Sequence, residues 1–204
     1  MEEAIRTLVN TLCSAQSTLS HATKILVVTS NQKTYGKTEL KTYNHFAEII
    51  EAYDVFASNG FEVDFVSPNG GNIPIGYITK SNPLQKKYLS NNDFIEKLKN
   101  TKHPDEVNAS DYAAIYYSGG GAAMFEVPEN PRIIAIAEAI YQQNGIISAV
   151  CHGTAGIANL KDKEDKPLYQ NKRITGYPNV FENMEGAYFK TFPFSVEEKI
   201  KEYQ

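Results

Sequence analysis

The chain has 204 residues, 42% of them apolar and 22% charged, enough for one sizeable domain with its own core. A net charge of −4 leaves no basic footprint for nucleic acid or an anionic membrane surface, and no apolar run approaches the length of a membrane span. Two cysteines, Cys13 and Cys151, do not make a disulfide framework, and Met1-Glu2-Glu3 is acidic where a secretion signal is basic, so the expected setting is reducing and cytoplasmic.

Ala4, Ile5, Leu8, Val9 and Leu12 recur at helical spacing within residues 3–21. Residues 1–22 therefore read as an amphipathic helical extension that packs on the domain (residues 23–204) or on a second subunit. Its polar face is not basic, which argues against membrane contact. The compact apolar run Ile25-Leu26-Val27-Val28-Thr29-Ser30 predicts a buried strand, and a polar loop containing Gly36 follows. Phe46 to Ser58 predicts a helix with Gly60 as its C-terminal cap. Phe61 to Val66 is the next strand, stopped by Ser67-Pro68-Asn69-Gly70-Gly71. Asn92 to Lys99 predicts a short helix, and Tyr112 to Tyr117 a third strand that runs into Ser118-Gly119-Gly120-Gly121. Pro131 to Gln143 reads as a helix with proline in its first turn and Gly145 after its end. A strand then leads to Cys151, and Lys172 to Gly176 reads as a further strand. Continuous apolar strands alternating with helices predict an α/β fold: a flavodoxin-like, doubly wound, mostly parallel sheet with helices on both faces. Sites in such sheets lie beyond the carboxyl ends of the strands, so Gly119-Gly120-Gly121 and Cys151 are expected to share one crevice.

Ala149-Val150-Cys151-His152-Gly153 has the form small-x-nucleophile-x-Gly of a nucleophile elbow, with cysteine as the nucleophile. Small residues on either side permit a strained turn, and a helix starting there would aim free N–H groups at the sulfur and favour thiolate. The competing reading of an isolated cysteine is a buried core thiol, which the surrounding pattern outweighs. The glycine run lacks the spacing and the lysine of a phosphate loop. It is either a flexible turn or a source of backbone amides, from Gly120 and His152, for an oxyanion. His152 is a partner for the sulfur or a surface residue of the turn. Glu48 and Glu182 each read first as ordinary exposed glutamates. The chain has 4 histidines, His21, His45, His103 and His152, and none follows position 152, so it lacks the downstream histidine of a class I glutamine amidotransferase. No Cys/His grouping has metal-ligand spacing.

Together these residues resemble the ThiJ/PfpI superfamily, and within it the stress-inducible chaperone and glyoxalase III branch. The resemblance is carried by the cysteine elbow, by Ser118-Gly119-Gly120-Gly121-Ala122, by residues 60–71 and by Lys172-Arg173-Ile174-Thr175-Gly176-Tyr177 leading to Glu182. It implies Cys151 as nucleophile, His152 as its neighbour, Glu182 as the acidic partner of that histidine and Glu48 as the helix glutamate at the sulfur. Gly119, Gly120 and Gly121 would supply the oxyanion turn. The implied activity is conversion of methylglyoxal or a similar 2-oxoaldehyde to a 2-hydroxy acid through a Cys151 hemithioacetal, with no cofactor or metal and with Glu48 protonated at rest. A small aldehyde is the expected partner and a homodimer the expected assembly. The alternatives are a holdase chaperone or redox sensor, and a cysteine hydrolase or peptidase using Cys151, His152 and Glu182. This chain has Tyr43 where such relatives have glycine and Gly76-Tyr77 where they have aspartate-proline. It stops soon after residues 192–198, where relatives continue into another strand and helix. That would leave a sheet edge for the N-terminal helix or a second subunit to cover.

Overall fold

The computed structural model describes residues 2–15 and 24–202. In chain order the elements are α1 (Glu2–Ala15), β1 (Lys24–Val28), β2 (Asn44–His45), α2 (Phe46–Ser58), β3 (Glu62–Val66), β4 (Ile75–Gly76), α3 (Pro83–Leu89), α4 (Asn92–Lys99), β5 (Tyr112–Tyr117), α5 (Pro131–Gln142), β6 (Ile146–Ala149) and α6 (Val196–Lys201). The main sheet has four strands in the order β3-β1-β5-β6, all parallel. This is the flavodoxin-like doubly wound arrangement, in which the strand order reverses between β1 and β5 and opens a crevice at their carboxyl ends.

Strand side chains alternate between faces, and here both faces are buried. Ile25 and Val27 of β1 and Ala114 and Tyr116 of β5 pack with Phe46, Ile49, Ile50 and Phe56 of α2 on one side. Leu26, Val28, Ile115 and Tyr117 pack with Ile133, Ile136, Ala137 and Ile140 of α5 on the other. Ile5 and Val9 of α1 join the α2 side. Residues 16–22 of the expected N-terminal extension lie outside the described residues. A small second ladder pairs β2 with β4, Asn44 opposite Ile75 and His45 opposite Gly76. The side chain of Asn44 locks it to the main sheet, accepting from Ser30 N at 2.8 Å and donating to the carbonyls of Ser30 and Pro74, each at 2.8 Å. Asn44 thus fixes where α2 begins.

Two expectations are corrected. Lys172 to Gly176 is not a strand: β6 is the outermost strand among the described residues, and a groove of about 460 Å³ lies along it against Lys172, Arg173, Ile174 and Thr175. The segment passes beside β6 without pairing, and only beyond it does Tyr177 reach the crevice and stack on His152 with ring centres 4.3 Å apart. The turn after Cys151 is a 3₁₀ helix, Cys151–Ile157, rather than an α-helix. Two glycines and a threonine within this run are poor α-formers, and it is packed hard against β5. As expected, Gly145 follows the end of α5, which stops at Gln142 with the left-handed Asn144 (φ +65°) between them.

The elbow depends on that close packing. A Cβ on Gly153 would lie 2.4 Å from the Tyr117 carbonyl oxygen and 2.7 Å from that of Ser118, both backbone atoms of the sheet that cannot step aside. Gly153→Ala is therefore expected to lose about 1–3 kcal/mol of stability, read as a lower urea midpoint at an unchanged m-value. An unchanged midpoint would show that the 3₁₀ turn floats free of β5.

Candidate active site

Cys151 stands at the end of β6 with φ +52°, a left-handed conformation that costs an L-residue about 1–3 kcal/mol. The strain is held by hydrogen bonds on both sides. Val150 N donates to the Tyr117 carbonyl at 3.1 Å, Gly153 N to the Val150 carbonyl at 2.8 Å, and Thr154 Oγ1 to the Cys151 carbonyl at 2.9 Å. The amides of His152 and Gly120 point at the sulfur. The seven-residue 3₁₀ turn therefore contributes a local donor, the His152 amide, rather than a long helix dipole, and the loop after β5 contributes the Gly120 amide.

Glu48 comes to the sulfur from the first turn of α2, and its residue is 5% exposed. Its carboxyl accepts from Gly119 N at 2.8 Å and hydrogen-bonds the Cys151 thiol. Gly119 has to be glycine, because a Cβ there would lie 2.4 Å from Glu48 Oε2 and 2.8 Å from Cys151 Cβ. Burial pushes the Glu48 carboxyl up from 4.5 to about 7, opposed by the Gly119 amide and the thiol. Burial, followed by the charge of Glu48, pushes the Cys151 thiol up to about 12. The expectation that N–H groups at the turn favour thiolate thus meets two opposing effects, burial and the neighbouring carboxyl. The sulfur is half-buried beside a carboxyl, and two negative charges there repel. The two groups titrate as a pair that holds a proton between them. When Glu48 carries it, the sulfur is free to ionise against the Gly120 and His152 amides.

His152 completes the second arm. Its Nδ1 lies 3.4 Å from Cys151 Sγ and its Nε2 lies 2.6 Å from Glu182 Oε1. Glu182 is held in turn by the Tyr188 hydroxyl, which donates to Oε2 at 3.1 Å. A carboxylate can only accept, so the ring proton sits on Nε2 and the Nδ1 lone pair faces the sulfur. Burial lowers the pKa of His152 although Glu182 raises it, so the ring is neutral and is not a cationic partner for a thiolate.

The crevice thus gathers Cys151, His152, Glu48, Glu182, Gly120 and Gly121 around a cavity of about 420 Å³, with Gly119 immediately behind the sulfur. It also gathers residues that no pattern along the chain had linked. His45 lies three positions before Glu48, with Nδ1 4.0 Å from Oε1, buried and lacking a hydrogen-bond partner among the described residues. Burial keeps it neutral by lowering its pKa. Tyr35, Tyr77, Tyr177, Tyr188 and Phe192 supply rings from loops scattered along the chain. Among these only the i, i+3 spacing of His45 and Glu48 was a usable sequence signal. Among the described residues no cluster of His, Cys, Asp and Glu could hold a metal ion.

Comparison with known proteins places this geometry. A model of the DJ-1/PfpI family matches residues 40–199. The Saccharomyces cerevisiae protein Glutathione-independent glyoxalase HSP31 is 34% identical over 174 residues, 80% of this chain and 71% of that protein. Among solved structures, the Rapid Encystment Protein 24 kDa of Francisella tularensis superposes with a TM-score of 0.82 at 30% identity, covering 88% of this chain and 80% of its own. The glyoxalase III of Candida albicans superposes with a TM-score of 0.76 at 26% identity, covering 90% and 80%.

The raised Glu48 carboxyl has a consequence for stability. The folded state keeps the proton that the unfolded chain loses above 4.5, so the stabilisation is complete below that pH and is lost as pH rises through about 7. Wild type should lose about 3 kcal/mol across this window relative to Glu48→Gln, with His152, whose lowered pKa acts in the opposite sense, common to both. Urea unfolding of the two proteins at pH 4.5 and pH 8 measures the difference. A constant gap would mean that Glu48 is not protonated in the fold.

Proposed function

The chain belongs to the DJ-1/PfpI family, and we propose that it is a glutathione-independent glyoxalase of the glyoxalase III type. In this reading it converts methylglyoxal or a similar 2-oxoaldehyde to a 2-hydroxy acid through a hemithioacetal on Cys151. The observation that carries the reading is the Glu48 carboxyl, buried, raised to about 7 and hydrogen-bonded to the Cys151 thiol. A proton carrier poised near neutrality beside a nucleophile is what the isomerisation of a 2-oxoaldehyde requires.

The Cys151 thiol gives its proton to the Glu48 carboxylate as the sulfur adds to the aldehyde carbon, the C–S bond forming as the carbonyl π bond breaks, and the developing oxyanion is received by the amides of Gly120 and His152. That oxygen takes the proton of Glu48, which leaves Glu48 as a carboxylate next to the new hemithioacetal. Glu48 then removes the hydrogen of the former aldehyde carbon, and the electron pair moves through an enediol to the neighbouring carbonyl. Returning the proton to that second carbon, while the hydroxyl proton passes from the first oxygen to the second, leaves a thioester of the 2-hydroxy acid. One carbon has been oxidised and the other reduced, so no external electron acceptor enters. Water attacks the thioester with neutral His152, oriented by Glu182, as its base, and the acid leaves as the thiol is restored.

Two further parts of the proposal concern setting. The chain is placed in the cytoplasm, in keeping with its two cysteines. It is placed in a homodimer, in keeping with the exposed apolar side chains of Val180, Phe181 and Met184 around Glu182. No helix among the described residues is long and apolar enough to cross a membrane. A second reading rests on the Cys151–His152–Glu182 arm, which could serve acyl transfer alone, as in a cysteine hydrolase.

Purified protein given methylglyoxal without glutathione should produce lactate. Cys151→Ser and Glu48→Gln should each reduce the rate at least about 10³-fold with an unchanged circular dichroism spectrum. The Glu48 variant separates the two readings. Methylglyoxal turnover that survives Glu48→Gln rejects Glu48 as the proton carrier, and a thioester hydrolysed faster than methylglyoxal is isomerised, at a rate that Glu48→Gln leaves intact, assigns the site to hydrolysis instead.

A further inference from the structure

Tyr77 has an unusual position. It is a non-glycine residue with φ +56°, 45% exposed, at the mouth of the cavity. Its ring lies flat on His45, with centres 4.9 Å apart and planes 8° from parallel, and meets the Tyr43 ring edge-on. Its hydroxyl is 3.2 Å from that of Tyr35. The support beneath it is specific. The Tyr43 ring occupies the place of a side chain at residue 76, where a Cβ would sit 2.4 Å from Tyr43 Cγ, so a large residue at 43 and glycine at 76 interlock. The paired β2–β4 ladder holds them in register, and the chain turns immediately after to send Tyr77 over the site.

From Tyr77 the aromatic surface continues round the cavity. Tyr35 packs on Tyr188 and Phe192 with ring centres 5.5 and 5.9 Å away, Phe192 meets His152 at 5.3 Å, and His152 stacks on Tyr177 at 4.3 Å. Among the described residues the lining contains no lysine or arginine, while Glu48 and Glu182 are acidic. A substrate with a phosphate or carboxylate would find no counter-charge there. The cavity, about 420 Å³, falls within the range of ~300–1,000 Å³ typical of sites for drug-sized ligands, far larger than a three-carbon aldehyde needs.

We propose that Tyr77, carried on the Tyr43–Gly76 interlock, makes this pocket selective for 2-oxoaldehydes bearing a flat aromatic group (arylglyoxals) over short aliphatic ones. The aldehyde carbon would meet Cys151 while the aryl ring contacts Tyr77 and the opposing rings, which favour offset or edge contacts with another π system. The proposal deepens the glyoxalase reading and rests on it. Tyr77 acts here on substrate choice and takes no part in moving protons.

The test compares kcat/KM for phenylglyoxal and methylglyoxal, without glutathione, in wild type, Tyr77→Ala and Tyr77→Phe. Wild type should favour phenylglyoxal by about tenfold or more, Tyr77→Ala should lower that ratio about tenfold, and Tyr77→Phe should keep it within about threefold. A wild type that favours methylglyoxal, or a ratio unmoved by Tyr77→Ala, overturns the proposal. Conversion of neither aldehyde sinks the glyoxalase reading itself. The pocket is then judged by calorimetric binding of the two product acids, mandelate and lactate. Tighter mandelate binding that Tyr77→Ala weakens about tenfold upholds the aromatic site, and equal affinities reject it.

Discussion

The contact among Glu48, Gly119 and Cys151 sets the terms for the rest of the site. A carboxyl with 5% exposure and a half-buried sulfur cannot both be charged, so the site works by deciding where one proton resides. Every nearby structural feature serves that arrangement. Asn44 pins the start of α2, which fixes the height of Glu48 over the sheet. Gly119 gives both side chains room to meet. The strained φ of Cys151 turns its sulfur toward the carboxyl instead of into the core. The amides of Gly120 and His152 then receive whatever charge appears on sulfur or substrate.

The site has two arms with different electrostatic character. Glu48 is pushed toward its neutral form by burial, and His152 is pushed toward its neutral form by the same cause. A neutral imidazole flanking a carboxyl and a sulfur that share one proton makes a resting state of low charge, suited to admitting an uncharged carbonyl compound. Chemistry then creates charge at positions where donors already wait, which is the economical way to stabilise a transition state. The tyrosine hydroxyl on Glu182 belongs to the same logic, since it helps hold that carboxylate and, through it, the orientation of His152.

The sheet was legible in the sequence because its strands are buried on both faces, so β1 and β5 appear as unbroken apolar runs. The elbow was legible because small residues must flank a strained nucleophile. Glu48 was not legible from pattern alone: a glutamate in the first turn of a helix looks the same whether it meets solvent or a sulfur. Glu182 lies in an irregular segment and meets His152 across 30 positions, a distance over which periodicity carries no information. The ionisation of the sulfur was misjudged because residue types show the donors but not the burial or the neighbouring charge that overrides them. Residues 172–176 have the composition of a strand, yet residues 172–175 line a groove along β6 without pairing with it, and Tyr177 just beyond the segment is held by its stack on His152. The aromatic lining comes from loops far apart in the chain and is visible only once they are folded together.

The fit of Tyr43 against Gly76 also bears on how this chain can change over time. Any side chain at 76 collides with the ring already seated there, so a lineage leaving this arrangement must first shrink residue 43 and only then enlarge residue 76. The reverse order passes through a misfit. History at these two positions is therefore directional, and the identity of one is a condition on which mutations natural selection can accept at the other.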